Sequence, residues 1–286
     1  MNNRIITSNT KTFAVIGDPI SHSLSPVIHS LFYNKLSLDR LYITLKIKEQ
    51  ELGNGIPFLR ENFGGFNVTI PHKEEILQYL DEIDDEAKAY GAVNTVKITD
   101  GRLIGFNTDG YGFSKTLQLE GVDLRNKKVL ILGAGGGARV VAFELIKMAA
   151  KVTIANRNLK RAEELKLDIE EANKGYKVKA IDIIKIQDAY DCIINTTPLG
   201  MGNLIDSIPI KEENLQGAEV VFDLIYNPYQ TKLLKCAKTI GSKGINGLQM
   251  LFYQGIKAQE IWLDQKIDEE IIQSLYKEFV DYHKNQ

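Results

Sequence analysis

The sequence predicts an α/β fold divided into two domains, each an α/β unit with a mainly parallel sheet. Three observations lead there. Short runs of branched and aromatic residues alternate with helix-period segments along the 286 residues, the pattern of a parallel sheet covered on both faces. One alternation carries the cluster Gly133-Ala-Gly-Gly-Gly-Ala138 between an apolar run and a helical segment, which reads as strand, tight turn, helix. The length is comfortable for two cores and long for one.

Taken in order, residues 12–16 read as a strand and 26–36 as a helix entered at Pro26, whose fixed φ suits a first turn. A second strand spans 41–47, and a helical stretch within 49–61 is interrupted by glycines and a proline. Residues 65–70 form a third strand, stopped by Pro71. Residues 93–98 and 102–106 bracket Asp100-Gly101, the residue pair that favours a tight two-residue hairpin turn. A helical segment at 111–119 leads to the glycine cluster. Strands then follow at 128–132, 151–155, 191–195 and 219–225, with helices between them and a short extra strand within 175–180. A last helical pair, 247–263 and 268–283, has no strand after it and is expected to pack back on the first domain. That makes the first domain discontinuous, 1–110 plus 247–286, and leaves 111–246 as a Rossmann-like domain, with a cleft expected between the two.

Charge and composition narrow the function. A net charge of −2 leaves no electrostatic footprint for nucleic acid or an anionic membrane. No apolar run is long enough to span a bilayer, and residues 1–10 lack the apolar core of a signal peptide, so a cytoplasmic protein is expected. Cys192 and Cys236 lie far apart and read as reduced thiols, and the four histidines show no zinc spacing, so no metal is expected. The expected partner is a small molecule, bound by a monomer or homodimer.

The glycine cluster suits a dinucleotide pyrophosphate. Gly133, Ala134, Gly135, Gly136, Gly137 and Ala138 let backbone approach the phosphates, and the following helix offers unpaired N–H groups. The next strand ends in Asn156-Arg157-Asn158, without the carboxylate that would take a ribose 2′-hydroxyl. Asn156 can hydrogen-bond there, and Arg157 with Arg161 can flank a 2′-phosphate, which favours NADP over NAD. The plainer reading makes Lys160 and Arg161 solvated charges at a helix start.

Four polar clusters in the first domain are not explained by core packing. In Gly17-Asp-Pro-Ile-Ser-His-Ser-Leu-Ser-Pro26, Ser25 reads either as a helix cap or, with Ser23, as a ligand for a small carboxylate. In Asn67-Val-Thr-Ile-Pro-His-Lys73, Asn67 and Thr69 share one face of a strand, at the end where open α/β sheets bind ligands. Lys73 follows, either functional or simply solvated. Gly91-Ala-Val-Asn-Thr95 places Asn94 after a helix. Gly105-Phe-Asn-Thr-Asp-Gly110 places Asp109 in a loop, where it either caps the next helix or serves the chemistry.

These segments, with Asn195-Thr-Thr-Pro-Leu-Gly-Met201 and Gly247-Leu-Gln-Met-Leu-Phe-Tyr-Gln254, occur in an order that resembles the shikimate dehydrogenases over nearly the whole chain. The resemblance implies reversible reduction of 3-dehydroshikimate to shikimate with NADPH, in aromatic amino acid biosynthesis. It implies Lys73 and Asp109 as the catalytic pair, and Ser23 and Ser25 as ligands of the substrate carboxylate. Asn67, Thr69, Asn94 and Gln254 would hold ring hydroxyls, with Tyr226 nearby. Thr196, Leu224, Gly247 and Met250 would lie near the nicotinamide. Ser30 and Gln249 depart from the residues common in the family at those places. Two alternatives remain: a dehydrogenase of broader use that also takes quinate, and a nucleotide-sensing binding protein without turnover.

Overall fold

The structure, a computed structural model, describes residues 5–284; Met1–Arg4, on which part of the N-terminal expectation falls, and the last two residues lie outside the described residues. In chain order the elements begin β1 (Lys11–Gly17), α1 (Ser25–Lys35), β2 (Arg40–Lys46), α2 (Leu52–Asn62), β3 (Gly65–Val68), β4 (Glu82–Ile83), α3 (Asp85–Tyr90), β5 (Thr95–Thr99), β6 (Arg102–Phe106) and α4 (Asp109–Leu119). They continue with β7 (Lys128–Leu132), α5 (Gly136–Lys147), β8 (Lys151–Asn156), α6 (Leu159–Ala172), β9 (Lys179–Asp182), β10 (Cys192–Asn195), β11 (Val220–Asp223), α7 (Lys232–Thr239), β12 (Lys243–Asn246), α8 (Leu248–Leu263) and α9 (Glu269–Lys284). Two compact units divide them: the described residues up to Gly112 with those from Phe252 onward, and Phe113–Leu251. The divisions fall inside α4 and α8, a few residues beyond the breaks expected at 110/111 and 246/247.

The first unit holds a sheet in the order β2-β1-β3-β5-β6-β4. β1 runs parallel to β2 and β3, and β4 parallel to β6, while β3–β5 and β5–β6 are antiparallel. The hairpin forms where Asp100-Gly101 predicts it. Asp100 (φ 50) and Gly101 (φ 72) both adopt the left-handed conformation that this turn demands. Phe13, Ala14, Val15 and Ile16 of β1 are all buried, because both faces of the sheet are covered. On one face Ala14, Ile16, Phe66 and Val68 pack against Leu52, Ile56 and Leu59 of α2. That spacing makes an apolar helix face, and its burial outweighs the glycines and Pro57 within the same segment. On the other face Phe13 meets Trp262 of α8 at 4.8 Å between ring centroids, and Lys35 of α1 bonds Ser274 and Glu278 of α9. The terminal helices therefore cover the first sheet.

The second unit is a fully parallel sheet in the order β12-β11-β10-β7-β8-β9. The strand order reverses beside β7, which creates a crevice at the strands' C-terminal ends. Leu130, Leu132, Ala155, Ile193 and Val221 from the strands pack with Leu233, Leu234 and Ala237 of α7.

Three expectations need correction. The third strand ends at Val68, although the Thr69 N–H still donates to Ile16 O. The strand expected within 175–180 lies at β9 instead, because Gly175 at φ 94 and the Tyr176 N–H bonded to Asn173 O form a turn. Between β10 and β11 stand 3₁₀ turns at Gly202–Leu204 and Glu212–Leu215 where a helix was expected. No helix among the described residues is long and apolar enough to cross a membrane.

Candidate active site

In the first unit, Lys73 follows the turn after β3, and Asp109 opens α4. Lys73 Nζ donates to Asp109 Oδ2 at 2.6 Å. The two side chains stay 29% and 16% exposed, enough for a small molecule to reach the pair. Backbone bonds hold both groups in place. The Val93 N–H donates to Lys73 O at 2.8 Å, and the Asp109 N–H donates to Asn107 Oδ1 at 3.0 Å.

Asn94 is the centre of this arrangement. Its Nδ2 donates to Asp109 Oδ1 at 2.7 Å and Thr108 Oγ1 at 3.0 Å, with Gln254 Oε1 of α8 at 3.4 Å. Its Oδ1 accepts from Thr108 N at 2.8 Å and Thr95 Oγ1 at 3.0 Å. Asn107 Nδ2 in turn donates to Ala92 O at 2.9 Å. A carboxylate with a lysine on one oxygen and an amide on the other has little freedom to rotate.

Asn67 joins from β3. Its Nδ2 donates to Thr95 Oγ1 at 2.9 Å and Asn94 O at 3.1 Å, and its Oδ1 accepts from the buried Tyr42 hydroxyl at 2.7 Å. Burial pushes the Tyr42 phenol up. Hydrogen bonds therefore link Tyr42, Asn67, Thr95, Asn94, Asp109 and Lys73 without a break.

Ser25 does not cap α1. The cap position is Leu24 with no side-chain bond, and Ser25 is already within the first turn. The Ser23 hydroxyl accepts the Ser25 N–H at 3.3 Å, so the local turn leaves the Ser25 hydroxyl for other partners. Among the described residues, no direct hydrogen bond joins either serine to Lys73 or Asp109. Thr69 is half-buried at the end of β3, where its methyl lies 2.5 Å from the point a Cβ on Gly17 would occupy. Sequence reasoning missed Tyr42, Thr95, Asn107 and Thr108. The last three stand inside motifs it had singled out, whereas Tyr42 looks like any aromatic of a buried strand.

The second unit assembles the glycine turn. Gly133 adopts φ 114, and a Cβ there would lie 2.5 Å from Thr196 Oγ1, so both backbone and space require glycine. Thr196 Oγ1 donates to Leu132 O at 2.8 Å, while the Gly133 N–H donates to Ala155 O at 2.8 Å. No side chain crowds Gly135, Gly137 faces Leu224 and Thr196, and Ala138 is buried. Gly136 begins α5, whose first N–H groups have no partner within the helix. Ala134 lies half-buried in the turn between.

At the neighbouring strand end, Asn156 Nδ2 donates to Asn158 O, and Asn158 caps α6. Arg157 and Arg161 are exposed. A Cβ on Gly247 would lie 1.9 Å from Leu224 O, so the chain passes there only as glycine. Tyr226 and Met250 are half-buried in this same unit, and burial pushes the Tyr226 phenol up.

A family model described as shikimate dehydrogenase substrate binding domain matches residues 15–96, and one described as shikimate / quinate 5-dehydrogenase matches residues 115–221. A shikimate dehydrogenase (NADP+) of Methanocaldococcus jannaschii is 46% identical over 263 residues, 90% of this chain and 93% of its own. A crystal structure of a shikimate dehydrogenase in complex with NADP+ superposes with a TM-score of 0.88 at 42% identity, covering 96% of this chain and 97% of that one. A Thermus thermophilus shikimate 5-dehydrogenase in complex with NADP(H) and shikimate gives 0.84 at 33% identity, covering 94% and 99%.

Proposed function

This chain belongs to the shikimate dehydrogenase family, and from that premise we propose that it catalyses the reversible NADPH-dependent reduction of 3-dehydroshikimate to shikimate, in aromatic amino acid biosynthesis. The observation that carries the proposal is the Lys73–Asp109 pair at 2.6 Å, set among Asn94, Thr108 and Gln254. Reduction of a ketone builds negative charge on oxygen, which needs a positioned proton donor. Lys73 supplies the proton at Nζ, and Asp109 holds that ammonium in line. Asn94 and Gln254, with Asn67 and Thr69, bind the ring hydroxyls. Ser23 and Ser25 take the carboxylate, and Tyr226 is a further candidate for substrate binding. A site lined with neutral donors and acceptors discriminates against rings that lack the matching hydroxyls.

The second unit fits NADP. The open backbone at Gly135, the unpaired N–H groups at the start of α5, and a strand end with arginine in place of a carboxylate all match a pyrophosphate and a 2′-phosphate. Residues 133–138 take the pyrophosphate, and Asn156, Arg157 and Arg161 take the phosphorylated ribose. Thr196, Leu224, Gly247 and Met250 border the nicotinamide. When bound, NADPH supplies the hydride.

Broader use is the second reading, because one matching family description names quinate beside shikimate. We place the enzyme in the cytoplasm as a monomer or homodimer; sedimentation of the pure protein distinguishes the two states. Assays of shikimate and quinate oxidation, each with NADP+ and NAD+, test the function. Shikimate with NADP+ should be the fastest pairing. Quinate turnover as fast as shikimate turnover would favour the second reading, and no turnover with either would overturn both.

A further inference from the structure

Asp223 ends β11 and is completely buried, yet the chemistry above does not use it. All its partners are neutral donors. Oδ1 accepts from Asn195 Nδ2 at 2.9 Å and from the Ile225 N–H at 3.1 Å, while Oδ2 accepts from Thr231 Oγ1 at 2.7 Å. Each donor belongs to a different piece of chain. Asn195 ends β10 and controls the loop that follows: its Oδ1 accepts from Thr197 N at 2.9 Å and Thr197 Oγ1 at 2.7 Å, and its Nδ2 also donates to Leu199 O. Ile225 lies in the loop after β11, between Leu224 and Tyr226. Thr231 caps α7, accepting the Leu234 N–H.

Burying a carboxylate among neutral groups is costly, and burial indeed pushes the Asp223 carboxyl up. What the side chain supplies is a shared set of partners: its two terminal atoms meet three donors from three pieces of chain. The two loops it ties together carry Thr196 on one side, and Leu224 with Tyr226 on the other.

We propose that Asp223 is a positioning residue for cofactor binding: its single carboxylate sets the register between the loop after β10 and the loop after β11, so that Thr196 and Leu224 present one preformed edge to the nicotinamide half of NADP. The proposal rests on the functional reading above. In Asp223→Ala all three donors lose their acceptor, and the two loops are no longer coupled. Asp223→Asn keeps one oxygen for Asn195 and Ile225, and its amide can face Thr231 Oγ1, which then accepts twice. The edge is largely preserved in that variant.

Calorimetric titration of NADP+ into the whole protein tests this, alongside the thermal unfolding midpoint of each variant. Asp223→Ala should weaken NADP+ binding at least roughly tenfold, whereas Asp223→Asn should stay within about threefold of wild type. The control is Leu215→Ala, a truncation of a fully buried core residue just before β11, at the opposite end of the strand from the loops. It should lower the unfolding midpoint and leave NADP+ affinity within about threefold. Equal losses of affinity in Leu215→Ala and Asp223→Ala would overturn the proposal, since stability alone would then explain the effect. Thr231→Val, which removes the bond to Oδ2 together with the bond from the Leu234 N–H, covers the case in which Asp223→Ala does not fold; it should weaken binding by more than threefold, and unchanged affinity would refute the coupling. A wild-type protein that binds no NADP+ would overturn the functional reading and this inference with it. Tight wild-type binding with indifferent variants would overturn the inference alone.

Discussion

At the scale of single residues, the site is a set of side chains that hold one another in place. Asn94 fastens one Asp109 oxygen while Lys73 takes the other, so Lys73 Nζ is aimed by a carboxylate that cannot turn away. Asn94→Leu should then disturb orientation more than affinity, lowering kcat by a larger factor than it raises KM for shikimate; a raised KM with kcat unchanged would mean that Asn94 acts only by binding. Cofactor choice belongs to this scale too. Arg157 and Arg161 are exposed where an NAD enzyme would keep a carboxylate. Arg157→Asp should move the ratio of kcat/KM for NADP+ over NAD+ toward NAD+ by at least about tenfold, the scale of one lost charge-assisted contact. An unchanged ratio would remove Arg157 from the cofactor site.

At the scale of elements, glycine positions decide where chain can pass. A methyl on Gly247 would collide with Leu224 O, a backbone atom that cannot swing aside. Gly247→Ala should therefore shift both the loop after β11 and the start of α8. We expect a loss of roughly 1–3 kcal/mol in denaturant unfolding, the usual cost of overpacking, together with weaker NADP+ binding. A fully stable variant with normal affinity would show that the close approach is relaxed in solution. Most elements were legible in the sequence because they follow period and turn chemistry. The hairpin at Asp100-Gly101 and the strand–turn–helix at 128–147 are examples. β12 and the 3₁₀ turns between β10 and β11 were not legible, since Lys243–Asn246 is short and polar and earns its place only by pairing with β11. Motif residues such as Lys73, Asp109 and Asn94 were visible. Tyr42 was not, because its role depends on the hydroxyl meeting Asn67 across the sheet.

At the scale of the whole molecule, stability should fall on mild acidification, and one group makes a separable contribution. Burial lowers the His29 titration to about 3, where its ring stacks on Tyr42 at 4.0 Å and bonds Gln259 at 2.6 Å. The unfolded chain takes up that proton near its ordinary value of about 6.5, so between the two values the unfolded state binds more protons than the folded one. The stabilisation is complete above about 6.5 and is lost as pH falls toward 3, at roughly 1.4 kcal/mol per pH unit inside that window. His29→Phe keeps the stack and removes the titration. Denaturant unfolding at pH 7 and pH 5 should show a drop in wild type exceeding that in the variant by on the order of 2 kcal/mol. Equal drops would mean that His29 is protonated in the folded protein.

In the proposed function Lys73, held by Asp109, is the proton donor for a ketone, and the decisive measurement is the kcat of Lys73→Ala for shikimate oxidation at saturating NADP+. A fall of roughly 10²–10⁴-fold is expected, the range for a lost general acid–base group, with a much smaller change in KM. A kcat near that of the wild type would contradict it.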